Sequence, residues 1–184
     1  MGRRPFYSVH IHFTIQGEFY MRRFIQSLVL LISCLLLVSV FSAAAQENTA
    51  QRNKETYVSA LADASAGKLD ALINLFADPY LSNQGGITIQ KSSPQAVEMF
   101  AKALAAAIPD LKITPDVLIA QDDLLAGSLT YSGTFTQPFS FAIMGPNAVP
   151  PTNKAVQWTE MTFLRFNNEG KITESWIVSD PGGM

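Results

Sequence analysis

The chain has 184 residues, of which 48% are hydrophobic and 15% are charged, so it can form one compact domain and is too apolar to be disordered. Its formal net charge is −2, and its basic residues form no run longer than a pair. This pattern excludes a phosphate-tracking surface, so we expect a single domain and no nucleic-acid partner.

Residues 21–45 have the order of a secretory signal peptide. A basic pair at Arg22 is followed by an apolar run over residues 28–41 and by an alanine-rich cleavage site ending at Ala45. The apolar run is shorter than the roughly 20 residues that a membrane helix needs. We therefore predict cleavage after Ala45, export to the bacterial periplasm or beyond, and no stable membrane span in the mature chain.

The predicted domain boundaries follow from that signal. Residues 1–20 show no helical or strand period, and we interpret them as a non-native or disordered extension upstream of a start at Met21. Cys34 lies in a sequence that resembles a lipoprotein box, so lipidation is an alternative, although the residues after it are apolar where a lipidated terminus is usually polar. The predicted folded domain is residues 46–184.

Cleavage would remove every imidazole and thiol from the chain. His10, His12 and Cys34 all precede the predicted cleavage point. The mature domain would then lack Ser-His-Asp catalysis, Cys-His catalysis, an internal disulfide and any zinc site built from His or Cys. Its chemistry would have to rest on carboxylates, Lys, Tyr, Ser or Thr.

The first half of the domain has helical periodicity. We predict a helix over residues 53–66 with Gly67 as its C-cap, and a second helix from Leu69 to Ala77 that ends at Asp78-Pro79. A third helix should start at Pro94, which suits the first helical position, and end near Ile108.

The second half has the signature of strands. Leu129, Tyr131 and Phe135 alternate with small polar residues, as expected of a sheet with one buried face. We predict strands over residues 111–120, 125–137, 155–166 and 171–180, with turns at 121–123 and 167–170 and a loop at 145–152. The order indicates an α+β domain in which helices cover one face of a curved antiparallel sheet.

The last hairpin decides which side chains share a face. If its turn pairs Asn167 with Lys171, Asp180 faces Trp158 and Val178 faces Glu160. One face would then carry Trp158, Glu160, Thr162, Leu164, Ile172, Glu174, Trp176, Val178 and Asp180.

Asp180 and Glu160 are the candidate acid-base residues. Large apolar neighbours remove water from a carboxylate, which raises its pKa toward the range useful for proton transfer. The alternatives are that Asp180 only closes its strand and that Glu160 faces solvent, which a register slip of one residue would cause. Trp158 and Trp176 also fit an ordinary core.

Several short motifs between about residues 54 and 180 carry a family resemblance. They are Gly67-Lys68-Leu69-Asp70-Ala71, Leu75-Phe76-Ala77-Asp78-Pro79-Tyr80, Ile108-Pro109-Asp110-Leu111, Tyr131-Ser132-Gly133-Thr134, Pro150-Pro151-Thr152-Asn153-Lys154, Leu164-Arg165-Phe166, and Glu169-Gly170-Lys171-Ile172 before Trp176 and Asp180. In order and spacing the chain resembles the SnoaL-like polyketide and ester cyclases of the nuclear transport factor 2-like superfamily.

The resemblance implies a cone-shaped, cystatin-like barrel with about three N-terminal helices and a deep apolar cavity. It also implies catalysis without metal or cofactor, in which Asp180 moves protons during an intramolecular aldol closure, and a homodimer formed through the open sheet face. The implied pocket residues are Tyr80, Asn83, Phe100, Tyr131, Trp158, Trp176 and Val178.

The chain departs from the family pattern at three positions. Members often carry His where this chain has Asn83, and Arg and His where it has Ser128 and Phe135. Our leading hypothesis is an exported domain that binds a small apolar carbonyl compound and cyclises or isomerises it. The alternatives are a non-enzymatic binding module with the same cavity and a dimeric interaction module.

Overall fold

The computed structural model describes residues 48–85, 87–140 and 148–179. Helix α1 covers residues 48–65. It is followed by α2 (Asp70–Ile73), β1 (Phe76–Gln84), β2 (Ile87–Ser92), α3 (Pro94–Ala107), β3 (Lys112–Gln121), β4 (Leu124–Thr134), β5 (Ala155–Phe166) and β6 (Ile172–Ser179). The predicted extension, the signal peptide with Cys34, and Asp180 lie outside the described residues.

The first and third predicted helices are confirmed as α1 and α3. Helix α1 buries one side, including Tyr57 and Leu61, and is followed by Gly67 at its C-terminal cap, where φ is 80°. The N–H of Lys68 donates to the carbonyl of Asp63 at 2.9 Å, which closes the helix in a Schellman motif. None of the helices in the described ranges is long and apolar enough to cross a membrane.

The second predicted helix is wrong beyond its first turn. Helix α2 ends at Ile73, and the chain then enters β1, so Asp78-Pro79 lies within a strand. The N–H of Ile172 donates to the carbonyl of Leu75 at 2.7 Å, and Phe76 is aligned with Ile172. Pairing with a distant strand outweighs the local helical pattern, as tertiary context often does.

The six described strands form one mixed sheet in the order β2-β1-β6-β5-β4-β3. From β3 to β6, each strand pairs antiparallel with the next strand along the chain. The predicted turns at 121–123 and 167–170 are confirmed. The hairpin of β1 and β2 was not predicted, and β1 joins β6 in parallel. The sheet is therefore not wholly antiparallel, although the α+β class is confirmed.

The helices cover one face of this sheet. Tyr57 and Leu61 of α1 pack against buried leucines of β4 and β5, whereas Leu104 and Ala107 of α3 pack against Trp158. We call the covered side the inner face and the opposite side the outer face.

A β-bulge changes the register of the last hairpin. Phe166 pairs with Ile172 as the turn predicts, but Arg165 then pairs with Glu174, so Thr173 has no partner across the strands. The predicted register is therefore wrong by one residue along the rest of β6.

The bulge exchanges the faces of the later β6 side chains. Glu160 is aligned with Ser179 rather than Val178, and Val178 is aligned with Met161. Because side chains alternate along a strand, a slip of one residue moves every following side chain to the other face.

Candidate active site

The inner face of β4, β5 and β6 carries the candidate site. Residues that pair directly share a face, which gives the rows Leu125-Leu164-Ser175, Gly127-Thr162-Ile177, Leu129-Glu160-Ser179 and Tyr131-Trp158. Along β6 the exposure rises from Ser175, which is buried, through Ile177 to Ser179, which is exposed. Glu160 therefore lies where the closed core gives way to a part that solvent can reach.

Glu160 is a half-buried carboxyl with one hydrogen bond among the described residues. The hydroxyl of Tyr131 donates to its Oε1 at 3.2 Å. Burial raises the pKa of Glu160 to about 7, while the Tyr131 hydrogen bond acts in the opposite direction. Both protonation states are therefore populated near neutral pH, so this carboxyl can take up and return a proton.

The ring of Tyr131 is held in place by packing. The ring stacks on that of Trp158 with 4.9 Å between centroids and 10° between planes. Tyr131 also packs against two buried clusters of side chains. One includes Tyr57 and Leu61 of α1, and the other includes Leu104 and Ala107 of α3. Burial, and next the charge of Glu160, raise the pKa of Tyr131, so its hydroxyl stays protonated and can donate at neutral pH.

Helix α1 brings a second phenol close to Glu160. Tyr57 is buried, and its pKa is raised first by burial and second by the charge of Glu160, while Thr162 acts to lower it. Within the described residues Thr162 Oγ1 is buried without a hydrogen bond of standard geometry. Tyr57 and Thr162 are therefore close to each other without a formed hydrogen bond.

Two of these neighbours were not recognised as site residues from the sequence. The sequence places Tyr57 only within the predicted helix over residues 53–66, and Thr162 only on the face that the last hairpin was predicted to form. The available signal was a polar tip at an inward position, because buried Tyr and Thr hydroxyls usually face a polar partner.

Two of the implied pocket residues lie on β1. Tyr80 is buried, with its ring 4.8 Å from that of Phe76. Asn83 is also buried, and its Nδ2 has no hydrogen-bond partner within the described part of the chain. Asn83 is aligned with Trp176 of β6, whereas Glu160 is aligned with Ser179 of the same strand. Asn83 therefore does not share a row with Glu160.

The structure does not bring Trp176 and Val178 together with Glu160. Trp176 is aligned with Phe163 and Val178 with Met161, which places them on the outer face. Val178 is 53% exposed.

Phe100 lies on α3, apart from the Glu160 row. It is 42% exposed and packs edge-on to Phe139, with 6.1 Å between ring centroids. Of the predicted residues, the structure thus places Tyr131, Trp158 and Glu160 side by side, and Asp180 lies outside the described residues.

No positive charge acts on Glu160 from the described part of the chain. The guanidinium of Arg165 is engaged by Asp123 at 2.8 Å and by Glu174 at 3.3 Å. The described ranges also contain no group of three or more His, Cys, Asp or Glu side chains that could hold a metal ion.

This mixed six-stranded sheet with helices on one side, together with the family match, gives the chain the nuclear transport factor 2-like fold. The model of the SnoaL-like polyketide cyclase family matches residues 55–184, and the chain belongs to this family. The resemblance seen in the sequence motifs is thereby confirmed.

Solved structures with this fold include two from Streptomyces. AclR from Streptomyces galilaeus, assigned as a hydroxylase, has a TM-score of 0.60 and 22% identity over 73% of this chain and 92% of its own. IdmH from Streptomyces antibioticus, assigned as a polyketide cyclase, has a TM-score of 0.57 and 23% identity over 72% of this chain and 94% of its own.

A third structure is a SnoaL-like polyketide cyclase from Agrobacterium tumefaciens, with a TM-score of 0.56 and 21% identity over 71% of this chain and 93% of its own. No curated protein matches the chain. At these identities the structural likeness establishes the fold alone, and the three proteins do not share one assignment, since one is assigned as a hydroxylase and two as polyketide cyclases.

Proposed function

We propose that this protein is exported, binds a small apolar molecule that bears a carbonyl group, and cyclises or isomerises it without a cofactor. Glu160 carries the proposal, because its carboxyl has a pKa of about 7 and lies at the open end of the inner face. The family match supports it through the cyclase chemistry in the family's description. Asp180 is proposed as a second acid-base group on its position in the family motif alone.

Glu160 can supply both proton steps of such a reaction. As a carboxylate it takes a proton from the carbon beside the ligand's carbonyl, and the electron pair of the broken C–H bond forms an enolate. In an aldol closure the enolate carbon bonds to a second carbonyl carbon, and the oxygen of that carbonyl takes the proton from Glu160. In an isomerisation the proton returns to a different atom of the same ligand.

Proton exchange tests this chemistry without knowledge of the natural substrate. Protein expressed from the full-length gene is mixed with simple β-keto esters in heavy water, and proton NMR follows exchange beside the carbonyl. We expect exchange faster than in buffer for the wild type and a loss of at least about tenfold in Glu160→Gln, since general-base catalysis contributes roughly a hundredfold or more. Asp180→Asn measures the share of the second proposed group.

The matched control is Glu174→Gln. Glu174 is the neighbouring glutamate across the hairpin, but it pairs with Arg165 and lies on the outer face, so its variant should exchange at the wild-type rate. A wild-type rate in Glu160→Gln would show that this carboxyl is not the base.

The competing hypothesis is a binding module with the same fold. It predicts that apolar carbonyl compounds raise the melting temperature by mass action while none of them exchanges faster than in buffer. That outcome would remove the enzymatic part of the proposal and keep the binding part.

The proposed partner on the outer face is a second copy of this chain. Two neighbouring rows of that face present apolar side chains that are 47% to 66% exposed, namely Val117, Ile119, Met161, Phe163 and Val178. We call these five residues the outer patch. An exposed apolar patch of this kind is typical of an interaction surface.

A further inference from the structure

Tyr131 makes two directional contacts at the candidate site. Its ring lies flat on Trp158, and its hydroxyl donates to Oε1 of Glu160. The pairing of β4 with β5 places Tyr131 opposite Trp158, and Leu129 opposite Glu160. The phenol therefore reaches the carboxyl from the neighbouring strand while its ring is fixed by the stack.

We propose that Tyr131 is a positioning residue for Glu160, whose hydroxyl occupies Oε1 so that Oε2 exchanges the proton with the ligand. This inference deepens the proposed function and rests on it. A hydrogen bond to one carboxylate oxygen fixes the plane of the group, and a base acts efficiently only when it is held in the right geometry.

The surroundings of Glu160 leave Oε2 for the ligand. Among the described residues Glu160 forms a single hydrogen bond, and that bond uses Oε1. One neighbour in its row, Leu129, is fully buried, whereas the other, Ser179, is exposed. The open side of the carboxyl is therefore the side of β6.

Each element around Glu160 contributes few titratable groups. Strand β4 presents Tyr131 and α1 presents Tyr57, and both phenols are neutral at neutral pH. The described inner positions of β6 are Ser175, Ile177 and Ser179. On α3 the charged pair Glu98 and Lys102 is exposed and bonded to itself.

Tyr131 is thus the described group that stabilises the carboxylate form of Glu160, against the burial that disfavours it. Removal of its hydroxyl should make the carboxylate harder to form. Tyr131→Phe keeps the ring and its stack on Trp158, so it isolates the hydrogen bond from the packing.

The experiment is a titration of Glu160 by carbon NMR in protein from the full-length gene, labelled at the glutamate carboxyl carbons and assigned with Glu160→Gln. We expect Tyr131→Phe to raise the pKa of Glu160 by about one pH unit. Tyr57→Phe is the matched control, because it removes a buried phenol hydroxyl near Glu160 that does not hydrogen-bond to it, and it should move the pKa by less than half as much.

The rate of ester exchange should follow the same shift. At pH 7 Tyr131→Phe should exchange more than about fivefold more slowly than the wild type, because less of the carboxylate is formed and the carboxylate that is formed is less well oriented. At about pH 9 the part of the loss that comes from incomplete ionisation should be recovered, and the part that comes from lost orientation should remain. A purely structural role for Tyr131 would lower the rate equally at both values of pH.

The inference is overturned if Tyr131→Phe keeps the wild-type circular dichroism and Glu160 titrates as in the wild type, or if both tyrosine variants shift it equally. If the titration shifts as expected but the wild type exchanges no ester, the role of Tyr131 toward Glu160 stands and the proposed function fails. The two failures are therefore distinguishable.

Discussion

The ionisation of Glu160 links the candidate site to the stability of the fold. In an unfolded chain a glutamate has a pKa of about 4.3, whereas burial raises the pKa of Glu160 to about 7 in the folded protein. The folded state therefore holds a proton that the unfolded state releases between these values. The contribution of Glu160 to the free energy of unfolding is therefore fully present below its pKa in the unfolded chain. This contribution is lost as the pH rises through its pKa in the folded protein.

Glu160→Gln should remove this loss. We expect the variant and the wild type to have similar free energies of unfolding at about pH 4, and the variant to be more stable by about 2 kcal/mol at about pH 8, a value discounted for partial exposure. Urea unfolding followed by circular dichroism at both values of pH measures the difference.

The wild type and the variant differ at one residue, so the pH-dependent contributions of all other carboxyl groups to stability cancel in the comparison. A difference that does not grow with pH would show that Glu160 is not held at a raised pKa. Such a result would also count against Glu160 as a base at neutral pH.

At the scale of single residues, the sequence predicted that burial raises the pKa of Glu160, and the structure agrees, while the acid-base role of this carboxyl stays a prediction. Alternation along β5 placed it beside Trp158, and the structure keeps it there with a raised pKa. The contributions of Tyr57 and Thr162 could not be predicted, because they depend on how α1 crosses the sheet, and no local pattern encodes that crossing.

At the scale of elements, local signals predicted what local forces decide. The Gly67 cap, the proline at the start of α3 and the turn around Gly170 each fix a backbone geometry within a few residues, and all three are found. Strand β1 was missed because its pairing partner lies about 90 residues away in β6, and the bulge at Thr173 was missed because a turn sets the register only until it is interrupted.

The outer face of the sheet gives a prediction about oligomeric state. We expect the protein to be a dimer in analytical ultracentrifugation, and Phe163→Asp to shift it toward monomer, because a buried charge without a partner is costly at an apolar interface. Phe163 lies in the outer patch and is 48% exposed.

Met99→Asp is the control for that experiment. Met99 is 61% exposed but lies on α3, away from the outer patch, so its variant should remain a dimer. A wild-type protein that sediments as a monomer at all concentrations would contradict the proposed homodimer.

At the scale of the whole molecule, the fold class followed from the order of helical and strand patterns, and the family match covers residues 55–184. The activity does not follow from the fold in the same way, because proteins with this fold carry different assignments. The chemistry has to be argued from Glu160 and its neighbours.

Export is the prediction that belongs to this scale. In a bacterial host the protein should be recovered from the periplasm or the medium, and its N-terminal sequence should begin at Gln46, after the alanine-rich site. Replacing Leu35 by Arg in the apolar run should keep the protein in the cytoplasm, because it interrupts the h-region. An intact N-terminus in the wild type, found in the cytoplasm, would contradict the signal peptide.

The bulge at Thr173 has a consequence for how this strand can change during evolution. Deletion of Thr173 would remove the bulge and leave the later pairs of β6 and both of its faces unchanged. Loss of the bulge without loss of a residue would instead pair Arg165 with Thr173 and turn the later part of β6 over, exposing Ser175 and Ile177 and pointing Trp176 and Val178 inward. A relative with a last strand of the same length but no bulge should therefore carry the opposite alternation of apolar and polar residues there.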